Sequence, residues 1–450
     1  MENKHALLGG LLLAVITALP WLETNAAPAR METSNTPVTL FRMTGSNTIG
    51  ADLAPALVKS WLETRGATRI RQRTRDERHW ITADLNGTAV EIPIIALGSS
   101  TGFKALDQDT ADIAMASRRI KDSEVNMLSR FGNLTSADAE HVIGLDALVI
   151  AVHKDNPVQQ LTLEQLGGIY RGEIRNWQQL GGRNLPIQPL HRDRESGTRA
   201  TFDKEVFGSN APARSPADEV AGNHETRERV LNTPGAIGYV PFADAEGLHK
   251  VAIKAGQLAA VVPDAGIIAT EDFPLTRRLY LYRNPATHHT DAADFLHFAE
   301  SQRGQSLVAD TGFINLTPVP LKMTPFANAP EGYRALMENG ARLSISFRFA
   351  DGSTELDNRA LRDLQRLQDY MAKAENRDLS LTLVGFSDNR ANSNIADLIS
   401  RFRALKVQGS LLRDHRLGDS NILALGAFAP LTADSEQAPV KNSRVEVWIN

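Results

Sequence analysis

Two groups of residues have the types and spacing for binding chemistry. The first is Arg192-Asp193-Arg194-Glu195-Ser196-Gly197-Thr198, a small-residue turn with a cation just ahead of it. Two similar turns precede it in the chain, Thr44-Gly45-Ser46-Asn47-Thr48 and Gly98-Ser99-Ser100-Thr101-Gly102. Each follows an apolar run and opens a helical pattern. Helix starts expose free N–H groups and partial positive charge, which favour anions. Hydroxyls add donors, glycine lets the backbone come close, and Arg192 adds a full charge. The set suits a tetrahedral oxyanion. The second group is Asp388 with Arg403, fifteen positions apart. A carboxylate after a strand and a guanidinium on the next helix can share one pocket. There they would hold the ammonium and carboxylate of an amino-acid headgroup.

The elements that must position these residues follow from periodicity. Val38 to Met43 reads as a strand, and Leu53, Leu57 and Trp61 recur at helical spacing. Val90 to Leu97 is a strand, and Phe103 opens a helix. Leu145 to Val152 is a strand, followed by a helix from Thr162 to Ile169 with Thr162 as its N-cap. Ile187 to Leu190 is a strand and Arg199 to Phe207 a helix. This alternation predicts α/β architecture with mainly parallel sheets, with ligands at the carboxyl ends of strands. Pro318, Pro320, Pro325 and Pro330 mark a linker, taken as residues 321–341. Beyond it come a strand (Leu343–Phe349) and a helix with Leu361, Leu364, Leu367 and Met371 on its buried stripe. A strand (Leu379–Val384), a helix (Ile395–Leu412) and a last strand (Val445–Ile449) complete a small separate domain at 342–450.

The whole chain bounds these readings. Its 450 residues, 42% hydrophobic and 23% charged, describe a globular protein of two or three domains. A net charge of -4 gives no case for nucleic acid. Lys4 and His5, an apolar stretch from Ala6 to Leu22 and small residues at Ala26, Ala27 and Ala29 predict a cleavable export signal at 1–27. With no cysteine, disulfides, thiolate metal sites and a lipid-modified cysteine are excluded. Residues 98–102 also match the nucleophile-elbow pattern around Ser100, with His288, His289, His297, Asp291 and Asp294 downstream. No HGGG-like segment accompanies it, and the downstream stretch reads as an ordinary amphipathic helix. A binding protein without catalytic residues, metal or cofactor is therefore the expectation.

Several of these segments resemble the phosphate-binding periplasmic proteins of ABC uptake systems. They are residues 94–124 (IIALGSSTGFKALDQDTADIAMASRRIKDSE), GLDALVIAVHKDNPV (144–158), Asn176-Trp177, HRDRESGTRATF (191–202) and TPGAIGYV (233–240). The resemblance spans about residues 38 to 320. It implies the two-lobed type II periplasmic-binding-protein fold, its second lobe at about 147–260, closing on a dehydrated phosphate. The implied ligands are Ser46, Asn47 and Thr48, then Ser99 or Ser100, then Arg192, Ser196, Gly197 and Thr198. Some family members follow the Ala-Ser segment with an Asp that accepts the proton of monohydrogen phosphate. Here Ala116-Ser117 is followed by Arg118, so Ser117 and Arg118 are expected to face the anion as donors. Asp112, Asp193 and Glu195 are the acceptors left nearby.

From about residue 342 to 450 the chain resembles the OmpA-like peptidoglycan-binding domain. The resemblance rests on GFSDN (385–389), ISRFRA (399–404), FRFADGSTEL (347–356) and NSRVEV (442–447). It implies that Asp388 and Arg403 hold diaminopimelate of the wall's stem peptides. Phe386, Ser387, Ala391, Ala396 and Ser443 depart from the usual pattern. Together the two resemblances predict a periplasmic oxyanion-binding protein held non-covalently at the wall or outer membrane, with an ABC transporter permease as a further partner. The rival expectation is a structural envelope protein whose anion module has become an interaction domain.

Overall fold

The fold is built around one strand, Glu140–Val152, whose thirteen residues are all buried. Residues 140–147 pair with the strand Thr276–Arg283, and residues 148–152 pair with Ala236–Pro241, both antiparallel. The strand therefore passes from one lobe into the other. The computed structural model describes residues 36–208, 212, 215–255, 260–287, 289–325, 328–349, 355–387, 393–413, 420–428 and 442–450. Within it, residues 37–450 form one unit. The expected export signal lies outside the described residues.

On the first-lobe side the sheet continues from 276–283 through Ile113–Ala116, Met43–Gly45, Thr88–Ile95, Arg78–Leu85 and Thr68–Arg75. On the other side it continues through 236–241, Gln188–Arg192 and Asp218–Val220. The sheet is mixed, which corrects the expectation of mainly parallel strands. The reason is local. The 140–152 and 276–283 strands return antiparallel, and the 68–75/78–85/88–95 meander is antiparallel too. Its first two strands were not read from the sequence, and 68–75 carries arginine at alternate positions.

Helix Leu53–Thr64 buries Leu53, Leu57 and Trp61 as its spacing predicts. Thr162 caps helix Leu163–Arg171 through a capping box with Gln165, a device worth about 1 kcal/mol. Two helices begin earlier than expected, at Ser99 and Gly197, so residues read as turns form their first turns. Thr290–Glu300 and Gln302–Asp310 are two helices, divided at Ser301.

The C-terminal sheet has the order Pro320–Leu321, Ala341–Arg348, Arg444–Ile449, Leu381–Gly385 and Asn421–Ala424. Helices Asn358–Met371 and Ser393–Leu412 accompany it. The stretch read as a linker contributes the first of these strands and the helix Glu331–Asn339, whose Tyr333 and Met337 are buried. Leu361 faces out, so the buried stripe of the 358–371 helix runs through Ala360, Leu367 and Met371 instead.

Candidate functional site

Four segments meet where the 140–152 strand crosses between lobes. Gly45 and Gly98 sit at φ +141° and +142°, conformations that L side chains rarely adopt. The Gly98 N–H donates to Gly45 O (2.6 Å), and Ser46 N–H donates to Met115 O (2.8 Å). Glu195 O of the second lobe accepts from Ser100 N–H of the first at 3.5 Å. Gly197 presses directly on the first lobe. A Cβ there would stand 2.6 Å from Ser117 Oγ and closer still to Ser99 Oγ.

The centre of this meeting is a cation that sequence reasoning missed. Arg277 is cross-strand partner to Asp146 at the lobe crossing. Its Nε and Nη2 donate to Asp146 Oδ2 at 2.8 and 2.6 Å, and both side chains are buried. Asp146 Oδ1 accepts from the Phe242 N–H (2.8 Å). The remaining Arg277 donors reach three hydroxyls. Nη1 donates to Thr198 Oγ1 (2.7 Å) and Ser117 Oγ (3.4 Å), and Nη2 donates to Thr48 Oγ1 (3.3 Å). Thr48 and Thr198 hydroxyls lie 3.3 Å apart, and Ser99 Oγ accepts from the Ser117 N–H at 3.1 Å. Thr48, Ser99, Ser117, Gly197 and Thr198 are thus brought together around one buried guanidinium. In the sequence, Arg277-Arg278 stands directly ahead of the apolar run Leu279–Tyr282.

Other expected residues have different immediate partners. Ser46 is buried beside the group, while Ser196 Oγ caps its helix by accepting from Arg199 N–H (3.3 Å). Asn47 Nδ2 donates to Glu77 (2.5 Å) and Ala96 O (3.3 Å). Arg192 is 2% exposed, so it is no surface charge. It donates to Asn223 Oδ1 (2.5 Å) and Asp193 Oδ2 (3.2 Å). Its Nε has no hydrogen-bond partner among the described residues. Asn223 bonds in turn to Asp244, whose carboxyl burial and the neighbouring Asp146 charge push above the usual range.

Arg118 departs from expectation. Its guanidinium lies bidentate on Glu124 at 2.7 and 2.6 Å and stacks on Phe103. Glu124 offsets the Arg118 charge as Asp146 offsets that of Arg277. Nη2 still donates to Ser100 Oγ (3.0 Å) and fixes that hydroxyl. Ser100 thereby bonds an arginine, whereas the elbow reading required a histidine. Of the remaining acceptors, Asp112 is held by Arg42 through three hydrogen bonds, and Asp193 accepts from Glu195 N–H and Arg192. Glu195 Oε1 pairs with Lys104 (2.9 Å), while its buried Oε2 has no partner among the described residues.

Beside the C-terminal sheet, on the helix Ser393–Leu412, Arg403 is buried, donates to Phe386 O (3.3 Å) and lies over Phe349. Gly385 is required at the strand end because a Cβ would strike Ser400 O of the helix that carries Arg403. Asp388 lies outside the described residues. Arg278, on the face opposite Arg277, reaches Asp357 (2.6 Å) and Glu271 (2.7 Å). Arg342 and Arg348 pair with Asp272, and Arg359 with Glu271. Burial alone would raise both carboxyls. The surrounding arginines outweigh it and hold both below the usual range.

The description "PBP superfamily domain" matches residues 79–303, half of the chain, and "OmpA family" matches residues 348–445. The phosphate-binding protein PstS of Pseudomonas aeruginosa is 31% identical over 252 residues, covering 52% of this chain and 76% of that one. The chain belongs to the PstS family of the PBP superfamily. It carries a C-terminal OmpA family domain. The phosphate-binding protein PstS of Bacillus subtilis is 29% identical over 243 residues, 54% of this chain and 76% of that one. Among solved structures, an ABC-type phosphate transport receptor from Vibrio cholerae is 23% identical, with a TM-score of 0.46, covering 61% of this chain and 99% of that one. The Arg277 cluster belongs to the PstS-like part, and Arg403 to the OmpA domain.

Proposed function

We propose that the PstS-like part binds inorganic phosphate between its lobes and that the OmpA domain holds the protein to peptidoglycan in the periplasm. The observation that carries the first half is the convergence of Thr48, Ser117 and Thr198 hydroxyls on the buried Arg277. A tetrahedral anion here meets one guanidinium, several hydroxyls and two helix starts, at Ser99 and Gly197, in a site with little water. Donors fixed in advance bind an anion more strongly there than in bulk solvent. Asp146 leaves Arg277 partly neutralised, which suits a ligand that must also leave again. Arg192 supplies the second cation. Glu195 Oε2 is the acceptor for the proton that phosphate carries and sulfate lacks. Delivery of the anion to a transporter permease belongs to the same reading.

The second half rests on Arg403, fixed beside Phe386 at the end of the 381–385 strand, with Asp388 two positions further along. The pair would grip the zwitterionic end of diaminopimelate. Isothermal titration of the mature protein with phosphate and sulfate tests the anion site, with Thr198→Val as the variant. Phosphate-selective binding that weakens in Thr198→Val supports the reading. Equal affinity in both proteins removes Thr198 from the site. Sedimentation with purified sacculi, with Asp388→Ala, tests the wall site. Equal sedimentation of both proteins contradicts it.

A further inference from the structure

We propose that the outer face of the 68–75/78–85 hairpin is a docking surface for a membrane rich in anionic phospholipid headgroups. The strand Thr68–Arg75 is the last in the sheet, and seven of its eight residues are exposed. A bulge follows Thr68, and beyond it Arg71, Arg73 and Arg75 alternate onto one face. Their cross-strand partners are Thr82, Trp80 and Arg78. Four guanidiniums therefore share a face with one indole. Arg73 lies over the Trp80 ring at 4.6 Å, and Trp80 is only half-buried. The opposite face carries His79, Ile81 and Ala83, which are buried on the side of helix 53–64.

This concentration of charge is costly as a purely structural feature. Like charges directly opposite each other, as Arg75 and Arg78 are, destabilise a strand pair. Among the described residues Arg71, Arg73 and Arg78 form no ion pair, and Arg75 approaches only the adjacent, exposed Asp76 at 3.9 Å. Arg69 lies within the bulge and is neutralised by Asp84. The acids on the same face are Glu91, beside Thr82, and Asp84, which is paired with Arg69. A chain of net charge -4 thus carries a local patch of four arginines, of which Arg71, Arg73 and Arg78 have no ion pair among the described residues.

The shape selects the partner. The face is about 26 Å long, at roughly 3.3 Å per strand residue. It is built from two strands and presents no helix of its own to a nucleic-acid groove. An aromatic ring among cations is the composition that settles at headgroup depth, where ring and charge are both satisfied. The first strand of the hairpin lies ahead of the matched PBP segment, which begins at residue 79.

The test is co-sedimentation of the full mature chain with vesicles of phosphatidylglycerol in phosphatidylcholine, against pure phosphatidylcholine. Binding is expected only with the anionic lipid, and it should vanish at about 1 M salt, where the Debye length is near 3 Å. Each guanidinium contributes about fivefold to partitioning, so Arg71→Gln, Arg73→Gln, Arg75→Gln and Arg78→Gln together should lower it at least ~100-fold. If that variant loses its thermal transition, Arg71→Gln with Arg73→Gln carries the test, with a loss of about 25-fold expected. Unchanged partitioning in either variant overturns the proposal. So does tighter binding of a single-stranded oligonucleotide than of the vesicles. A third overturning result is no vesicle binding by wild type together with self-association of the glutamine variant. That would show that the arginines serve only to keep the sheet edge from pairing.

Discussion

Replacing Gly197 by alanine should separate lobe closure from folding. Gly197 has no positive φ, so alanine brings no backbone strain to an open form. When the lobes meet, the added methyl falls 2.6 Å from Ser117 Oγ and 3.0 Å from Ser99 Cβ. Rotating Ser99 moves its Oγ away but leaves both of those contacts. It also breaks the Ser117 N–H bond to Ser99 Oγ. With both hydroxyls rotated away, the 3.0 Å approach to Ser99 Cβ still needs a shift of roughly 0.5 Å between the lobes, and overpacking of this kind costs about 1–3 kcal/mol. All of that cost falls on the closed, liganded form. Phosphate affinity should drop about 5- to 150-fold while the melting temperature without phosphate stays within a degree or two of wild type. Titration calorimetry and thermal unfolding on the same preparations check both halves. Wild-type affinity in Gly197→Ala would refute the reasoning. A large loss of stability without ligand would show that the contact belongs to folding and not to closure.

Other outcomes follow from the buried charges. Asp146→Asn leaves Arg277 without its counter-charge and should destabilise the protein by about 3–5 kcal/mol in denaturant unfolding. Glu271 and Asp272 have folded-state pKa values depressed by arginines, so their stabilisation is complete above the unfolded carboxylate values near ~4 and is lost as pH falls through the lower folded values. Glu271→Gln should therefore lower stability at neutral pH and flatten its decline in acid, read from melting temperatures across that range. Asp244→Asn should leave neutral-pH stability less affected than Asp146→Asn, because the Asp244 carboxyl is pushed up by burial and by Asp146.

Much of the positioning was legible because it is local. The strand-to-helix junctions near Ser46, Gly98 and Ser196, the Thr162 cap and the helix through Leu53, Leu57 and Trp61 each follow from residues within a few positions of one another. The Asp146–Arg277 pair was not legible because it joins residues 131 apart through a strand register that no local pattern encodes. The partner of Arg118 was hidden for a related reason. Its counter-charge, Glu124, was within the quoted motif, but only the fold of the helix beginning at Asp122 turns that carboxylate onto it. The edge strand 68–75 was missed because alternating arginines hide the period-two pattern that apolar residues usually display. The helix within the stretch read as a linker was not foreseen because prolines that punctuate a loop can also precede a helix, as Pro330 does for residues 331–339.

The central claim is that a phosphate ion is held by the hydroxyls gathered around Arg277. It is tested most directly by calorimetric titration of phosphate into Thr198→Val beside wild type. The substitution keeps the volume and removes one hydrogen bond to a charged group, worth about 1.5–3 kcal/mol. The account predicts an affinity about 10- to 150-fold weaker with the fold intact. Undiminished affinity, or a wild-type protein that takes up no phosphate, would contradict it.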